Sequence, residues 1–191
     1  DRKIDVFEFE GKTLGLIGIG NIAQKVARRA RGFDVSIQYY DKYSPLTLSQ
    51  EGEMGITGVS LEHLLKTSDV VSIHVPLTSE THHMIAKSEF EMMKPESILI
   101  NTARGGIVDE QALLDALDGG IIAGAGLDVL ENEPPSESEP LRKLHNAIVT
   151  PHTAGPTLES LPKRAINSFD NMKRVWNGES PLWTAQFDTP D

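Results

Sequence analysis

Short apolar runs alternate with amphipathic segments along most of this 191-residue chain, and no other feature narrows its possible folds as much. Runs such as 13–18 and 97–101 are typical of strands that are buried on both faces. The segment 21–32 spaces its apolar side chains three or four residues apart, as a helix with one buried face requires. Alternating strands and helices predict an α/β fold, a doubly wound parallel sheet in a three-layer αβα arrangement.

The predicted elements follow one another in regular order. Strands are predicted at 13–18, 34–40, 70–75, 97–101, 121–130 and 147–150. Helices are predicted at 21–32, 60–65, 88–93, 109–119 and 157–177. Residues 44–59 and the acidic, proline-rich segment 131–140 are predicted loops, and 178–191 is predicted to be weakly structured.

Composition excludes several classes of function. Lys and Arg number 18 against 28 Asp and Glu, and the net charge is −10 without any basic window. This balance argues against nucleic-acid partners and against an anionic membrane surface. No apolar run approaches the roughly 18 residues of a membrane span, and no leader is evident. The absence of cysteine excludes thiolate metal sites and fits a cytoplasmic location.

A glycine-rich segment follows the first predicted strand. Gly18, Gly20 and Ala23 fit the pattern G-x-G-x-x-G/A, which turns the chain sharply and lets backbone approach a pyrophosphate. The following helix would offer its free N–H groups, those of Asn21 and Ile22, to the phosphates. Glycines between a strand and a helix often only make a turn, so a second feature is needed to indicate a dinucleotide site.

Asp41 is that second feature. It lies 23 residues beyond Gly18, at the end of the second predicted strand, close to the ~20 expected for an acid that binds ribose. A carboxylate there accepts hydrogen bonds from the ribose hydroxyls and repels a 2′-phosphate, so NAD is favoured over NADP. The pattern indicates a Rossmann-like dinucleotide site. The adjacent Lys42 is not interpreted as a phosphate ligand, and the alternative for Asp41 is a solvated turn residue.

Three later strands each deliver a charged group to the carboxyl edge of the sheet, where ligands bind in such folds. Arg104 follows one strand, Asp128 comes with Glu131 and Glu133 near the next, and His152 follows the last. Arg can hold a carboxylate bidentately, and His can protonate a carbonyl as a hydride arrives. The alternatives are a surface cation, a solvated acidic loop and a core histidine. The adjacent pair His82-His83 is interpreted as surface rather than as a metal site.

Five segments together resemble the NAD-binding domain of the D-isomer-specific 2-hydroxyacid dehydrogenases. They occur in the family's order within about residues 11–180. The segments are 15–23, 74–78, 101–110, 124–130 with Glu133-Pro134 just after it, and 150–154.

The resemblance implies roles for individual residues. Arg104 matches the catalytic, substrate-binding arginine, His152 the catalytic histidine and Glu133 its carboxylate partner, although Glu131 remains an alternative partner. Asp128 matches the acid near the nicotinamide carboxamide, and His74 is expected to be structural or close to the adenosine. The residues expected to bind NAD are Gly18, Gly20, Asn21, Ile22, Asp41, Val75, Pro76, Thr81, Thr102, Ala103, Arg104, Asp128, His152, Ala154 and Gly155.

The resemblance also implies an organisation and a function. Residues 1–10 are expected to be the remnant of an interdomain segment, 11–155 the NAD-binding domain, and 156–191 a C-terminal helix and tail. A substrate domain is expected to be missing, so this chain alone should be weakly active, and it should form a homodimer through an apolar patch near 77–95. The expected reaction is hydride transfer between NAD(H) and a small 2-hydroxy or 2-keto acid, of the phosphoglycerate or the hydroxypyruvate/glyoxylate class. The alternatives are an NAD(H)-sensing corepressor-like protein and, less favoured, formate oxidation.

Overall fold

The computed structural model of the protein describes residues 7–182 and residue 184. The chain divides into two compact units, Asp1–His152 and Thr153–Asp191.

The first unit is built on a parallel sheet of seven strands. Its order is β3-β2-β1-β4-β5-β6-β7, so the chain runs outward from β1 in one direction and then in the other. This topology confirms the predicted doubly wound α/β fold. The strands are β1 Thr13–Ile17, β2 Ser36–Tyr40, β3 Thr57–Gly58, β4 Val70–Ile73, β5 Ile98–Asn101, β6 Gly124–Leu127 and β7 Ala147–Val149.

Helices connect the strands. They are α1 Asn21–Ala30, α2 Leu48–Met54, α3 Leu61–Thr67, α4 Lys87–Met92 and α5 Glu110–Asp118, with 3₁₀ turns at Arg31–Phe33, Gly105–Ile107 and Pro140–Lys143. Local chemistry explains where they begin. The Asp109 carboxylate, for example, accepts a hydrogen bond of 3.0 Å from the Ala112 amide and so caps α5.

The core has two clusters because successive side chains of a buried strand point to opposite faces. On β1, Leu14 and Leu16 belong to one cluster, which includes Ala23 and Ala27 of α1. Ile17 belongs to the other and larger cluster, which includes side chains of α3, α4 and α5.

The expected apolar patch near 77–95 is not present in that form. Ile85, Phe90 and Met93 are buried in the larger cluster, and among the large apolar side chains of this segment Leu77 is exposed. Most large apolar side chains of this segment therefore pack in the core of the same chain, and the homodimer that the family resemblance implies stays a prediction.

Two sequence predictions were wrong in detail. Residues 44–59 are not a loop, because α2 and β3 lie within them. Thr47 and Gln50 form a reciprocal capping box that starts α2, a local signal that the proline and glycine residues of this segment concealed. The predicted strand 121–130 is shorter, and Asp128 lies one residue beyond the end of β6 rather than inside it.

The second unit contains helix α6, Ser160–Trp176, within the predicted 157–177. Its apolar side chains are exposed, and no residue of the helix is buried. Asn171 exchanges two hydrogen bonds of 2.8 Å with the backbone of Leu182, so the start of the predicted weakly structured tail is held to the helix. The rest of that tail, 183 and 185–191, lies outside the described residues. Among the residues that the structure describes, no helix is long and apolar enough to cross a membrane.

Candidate active site

The loop after β1 turns at Gly18, which has a φ of 91°. A Cβ atom here would lie 2.9 Å from Cγ1 of Val75 and 3.0 Å from the carbonyl of His74. Both the left-handed conformation and the close approach to the loop after β4 require glycine. The two loops therefore meet at this residue.

The space beside Gly20 is open, whereas the space beside Gly18 is filled by neighbouring atoms. A Cβ atom on Gly20 would meet no other atom within 4 Å. Gly20 caps α1, which has no side-chain cap and no acidic residue in its first turn, and Asn21 and Ile22 that follow are exposed. The free amides and positive dipole end of the helix thus face open space, which fits the pyrophosphate of a dinucleotide.

Asp41 lies directly beside this loop. Its Oδ2 accepts a hydrogen bond of 2.9 Å from the Ile19 amide, and its Oδ1 accepts from the amides of Tyr43 at 3.0 Å and Ser44 at 2.8 Å. The carboxylate therefore orders the backbone of the glycine loop and of the segment that follows β2. An ionised carboxylate has about four acceptor sites, so capacity remains for a ribose hydroxyl.

Thr81 braces the loop after β4. Its hydroxyl donates to the Pro76 carbonyl at 2.6 Å and accepts from the Thr78 amide at 2.8 Å. Val75 is partly buried and Pro76 is exposed, so the loop presents an apolar wall. His74 at its start lies 3.0 Å from the Ser72 hydroxyl, and burial lowers its pKa to about 4, which suits a structural histidine.

Asn101 shapes the loop that carries Arg104. It is buried, its amide group donates to the Arg104 carbonyl at 2.9 Å, and its side-chain oxygen accepts from the Ala103 amide at 3.0 Å. This local turn leaves Thr102 and the Arg104 side chain exposed.

Gly105 lets the same loop pack closely against the loop after β6. A Cβ atom on Gly105 would lie 2.0 Å from the carbonyl carbon of Leu130 and 2.3 Å from the Glu131 nitrogen. The backbones of the Arg104 loop and of the acidic loop after β6 are thus in direct contact.

Backbone hydrogen bonds continue past the strand ends. The Asp128 amide donates to the Asn101 carbonyl at 2.9 Å, and the His152 amide donates to the Asp128 carbonyl at 2.9 Å. The Thr150 hydroxyl also donates to the buried Asp128 carboxylate at 2.5 Å. These bonds hold the three loops together at one edge of the sheet. His152 adopts a φ of 52°, a strained conformation for a residue with a side chain.

His152 and Glu133 form a pair. Nδ1 of His152 lies 2.6 Å from Oε2 of Glu133, while Oε1 of Glu133 accepts from the Leu130 amide at 3.0 Å. The hydrogen bond with His152 lowers the pKa of the Glu133 carboxyl below its usual range, so the carboxylate stays ionised near neutral pH. Because Nδ1 is engaged, Nε2 is the ring nitrogen left to meet a substrate.

A cleft of about 600 Å³ opens beside this pair. Asp128, Glu133, Arg142, Thr150 and His152 contribute to its lining. Its size lies within the range of small-molecule sites.

Comparison with known proteins identifies the arrangement. Residues 1–154 match the sequence model described as D-isomer specific 2-hydroxyacid dehydrogenase, NAD binding domain. The chain belongs to this family. The resemblance inferred from the five segments is confirmed, and so is NAD as the family's cofactor.

Individual relatives agree with this assignment. A glyoxylate reductase of Korarchaeum cryptofilum is 46% identical over 175 residues, 92% of this chain and 52% of that protein. A D-3-phosphoglycerate dehydrogenase of Archaeoglobus fulgidus is 43% identical over 159 residues, 83% of this chain and 30% of that protein.

A solved structure gives the same picture. The holo form of Rhodotorula graminis D-mandelate dehydrogenase superimposes with a TM-score of 0.88 at 34% identity, covering 97% of this chain and 54% of that one. The chain spans about half the length of the glyoxylate reductase and of the mandelate dehydrogenase, and less than a third of the phosphoglycerate dehydrogenase. All three are dehydrogenases or reductases, and they do not support the alternative of a corepressor-like sensor.

In this NAD-binding domain the structure places Glu133, not Glu131, beside His152. Glu131 instead lies 2.8 Å from Nε2 of His83 and accepts from the Glu110 amide at 3.4 Å. His83 is therefore a partly exposed surface residue that pairs with Glu131, and His82 stacks on its ring. Burial and then the nearby carboxylates, Glu131 first, raise the pKa of Glu110.

The structure adds residues that the sequence analysis did not select. Asn101 and Gly105 shape and anchor the Arg104 loop, and Thr150 binds Asp128. An Asn at a strand end followed by a tight turn was the available signal for Asn101, whereas the contact of Gly105 depends on tertiary structure. Ala154 and Gly155 belong to the second unit and stay predictions as cofactor contacts. Within 7–182 and 184, no three His, Asp or Glu side chains are grouped as a metal site.

Proposed function

We propose that this protein transfers a hydride between NAD(H) and C2 of a small 2-hydroxy or 2-keto acid, of the phosphoglycerate or the hydroxypyruvate/glyoxylate class. The observation that carries the proposal is the Glu133–His152 pair, at 2.6 Å, on the sheet edge that also carries the open glycine loop. The relatives named glyoxylate reductase and D-3-phosphoglycerate dehydrogenase support the substrate class.

NAD, when bound, supplies the hydride acceptor or donor. The amides of Asn21 and Ile22 with Gly18 and Gly20 would hold its pyrophosphate, and Asp41 its adenosine ribose. The other proposed contacts are Val75, Pro76, Thr81, Thr102, Ala103, Arg104, Asp128, His152, Ala154 and Gly155. Contacts that fix the cofactor on rigid strand ends would place its reactive end toward the Arg104 and His152 loops.

The chain's own residues would do the acid–base work. The exposed guanidinium of Arg104 binds the substrate carboxylate and polarises the neighbouring carbonyl. His152 donates a proton from Nε2 to the carbonyl oxygen in reduction and accepts it from the hydroxyl in oxidation. Glu133 holds Nδ1, and its negative charge stabilises the protonated ring.

The proposed organisation has residues 1–10 as part of an interdomain segment, 11–155 as the NAD-binding domain and 156–191 as a helix and tail that pack on a substrate-binding domain. The exposed apolar side chains of α6 support this packing. The exposed side chains of Arg104 and His152 support a site that a second domain completes by excluding water. The isolated chain is therefore expected to bind NAD but to turn over substrate weakly.

A homodimer and a cytoplasmic location complete the proposal. The family resemblance supports the homodimer, and the lack of cysteine supports the cytoplasmic location. Sedimentation equilibrium of the full-length protein tests the dimer, since a mass equal to one chain at micromolar concentration would contradict it.

The decisive experiment measures turnover of the full-length protein. NADH oxidation is followed with glyoxylate, hydroxypyruvate and phosphohydroxypyruvate in turn. His152→Ala should lower kcat by about 10²- to 10⁴-fold, the contribution of a positioned acid–base group, with little change in NADH affinity. No oxidation with any of the three acids, by protein that binds NADH, would contradict the proposal.

A further inference from the structure

Lys42 and Tyr43 on one loop meet Glu80 on another. Nζ of Lys42 lies 2.5 Å from Oε2 of Glu80, and the Tyr43 hydroxyl donates to the same carboxylate oxygen. Nζ of Lys42 also lies 5.0 Å from the centre of the Tyr43 ring. One carboxylate therefore engages both residues that follow Asp41.

These contacts join the two loops that lie on either side of the glycine loop. Lys42 and Tyr43 follow β2, and Glu80 lies in the loop after β4. The sheet order places β1 between β2 and β4, so the glycine loop after β1 lies between the two bridged loops. The cluster thus lies where the adenosine half of a bound dinucleotide would be, next to Asp41.

A lysine at this position is chemically suited to a different cofactor. A cationic side chain beside the adenosine ribose accommodates the 2′-phosphate that distinguishes NADP from NAD. Here the cation is paired, and its hydrogen bond to Glu80 holds the pKa of Lys42 above its usual value. With Asp41 and Glu80 both negative and Lys42 positive, the net charge around the predicted 2′ position is negative.

We propose that Glu80 is a second determinant of coenzyme choice, which excludes NADP by occupying Lys42 and adding negative charge beside Asp41. This inference rests on the proposed placement of the ribose at Asp41. Both partners of the pair are more than half exposed, with side-chain exposures of 57% for Lys42 and 55% for Glu80. Solvent therefore screens the effect, and a three- to tenfold change in relative affinity is expected rather than a complete switch.

The test measures binding, not turnover. Titration calorimetry or quenching of protein fluorescence gives the dissociation constants of NADH and NADPH for the chain and for Glu80→Gln. The ratio of the NADPH constant to the NADH constant should fall three- to tenfold in Glu80→Gln. Glu91→Gln on α4 removes the same charge from another exposed ion pair with a lysine and should leave the ratio unchanged.

A second pair of variants measures the contribution of Lys42 separately. In a Lys42→Met background, Glu80→Gln should change the ratio clearly less than in the unmodified chain, because removal of the Glu80 charge still acts but no released cation remains to bind the phosphate. Raising the salt concentration to about 0.5 M should also reduce the Glu80→Gln effect, since exposed charges are screened.

The possible results separate this inference from the function on which it rests. If the unmodified chain binds neither nucleotide, the proposed NAD site itself fails. If it binds NADH but Glu80→Gln leaves the ratio unchanged, including by strengthening the binding of both nucleotides equally, Glu80 does not select the coenzyme. If Glu80→Gln acts equally well in the Lys42→Met background, the role of Lys42 is wrong.

Discussion

Single side chains at the sheet edge differ in what they can do, although they look alike in sequence. Glu131 and Glu133 are both acidic and lie two residues apart, yet one contacts His83 and the other His152. Only a carboxylate in contact with the imidazole can orient it and stabilise its protonated form.

Replacing these two acids separately tests that distinction. Glu133→Gln in the full-length protein should lower kcat by about tenfold or more, because the ring loses its charged partner. Glu131→Gln is the matched control and should lower kcat by less than about threefold. Steady-state kinetics with NADH and glyoxylate provide the measurement, and equal effects of the two substitutions would remove Glu133 from its assigned role.

Replacing two glycines by alanine should affect either NADH affinity or the stability of the fold, depending on which glycine is replaced. Gly20→Ala adds a methyl group where no atom lies within 4 Å, so stability should change by less than about 1 kcal/mol while NADH affinity falls about tenfold. Gly105→Ala places that group 2.0 Å from the Leu130 carbonyl carbon and should cost about 3 kcal/mol or more.

Urea unfolding and NADH titration measure both quantities. Gly32→Ala, whose added methyl group also meets nothing within 4 Å, is the control and should change neither strongly. Normal NADH affinity in Gly20→Ala would show that the open space at Gly20 is not where the pyrophosphate binds.

At the level of elements, α2 shows how a short helix depends on its first residue. It has only seven residues and no fully buried side chain, and its tertiary contacts are those of Met54 with the smaller core cluster and of Glu51 with the Tyr39 hydroxyl. The Thr47 hydroxyl accepts from the Gln50 amide, and the Gln50 side chain accepts from the Thr47 amide.

Thr47→Ala should therefore destabilise α2 by about 1 kcal/mol, the usual cost of losing an N-cap. Native-state hydrogen exchange measures it, with faster exchange expected in Leu48–Met54 and unchanged exchange in α5. Thr47→Ser preserves the hydroxyl and should keep the original rates, so equal acceleration in both variants would show that the cap does not stabilise the helix.

At the scale of the whole molecule, His74 links folding to pH. Burial lowers its pKa to about 4 in the folded state, whereas an unfolded chain has about 6.5. The unfolded state thus binds the proton first, and stability present above about pH 6.5 is lost as the pH falls toward 4.

Between pH 7 and 4, His74 should account for about 3 kcal/mol of lost stability. His74→Asn should flatten this part of the pH dependence, and His63→Asn on the exposed side of α3 should not. Urea unfolding at several pH values measures the difference. Parallel pH profiles for the unmodified chain and His74→Asn would mean that His74 is not buried in its neutral form.

Local patterns were sufficient for much of this molecule. Strand and helix periodicity, the glycine spacing and Asp41 all act over a few residues or one β-α-β unit, so the alternating fold and the dinucleotide loop could be predicted. The helix α2 was missed because glycine and proline concealed its capping box, and β3 was missed because two residues are too few to show a strand periodicity.

The contacts that give the site its chemistry could not be predicted in this way. Glu133 meets His152 across 19 positions, His83 meets Glu131 across 48, and Lys42 meets Glu80 across 38. The amino-acid sequence by itself determined the longer strands and helices and which loop suits a dinucleotide, since those depend on neighbouring residues. Which carboxylate engages which cation or imidazole was decided only by the tertiary structure, because the order of strands in the sheet brings distant loops together.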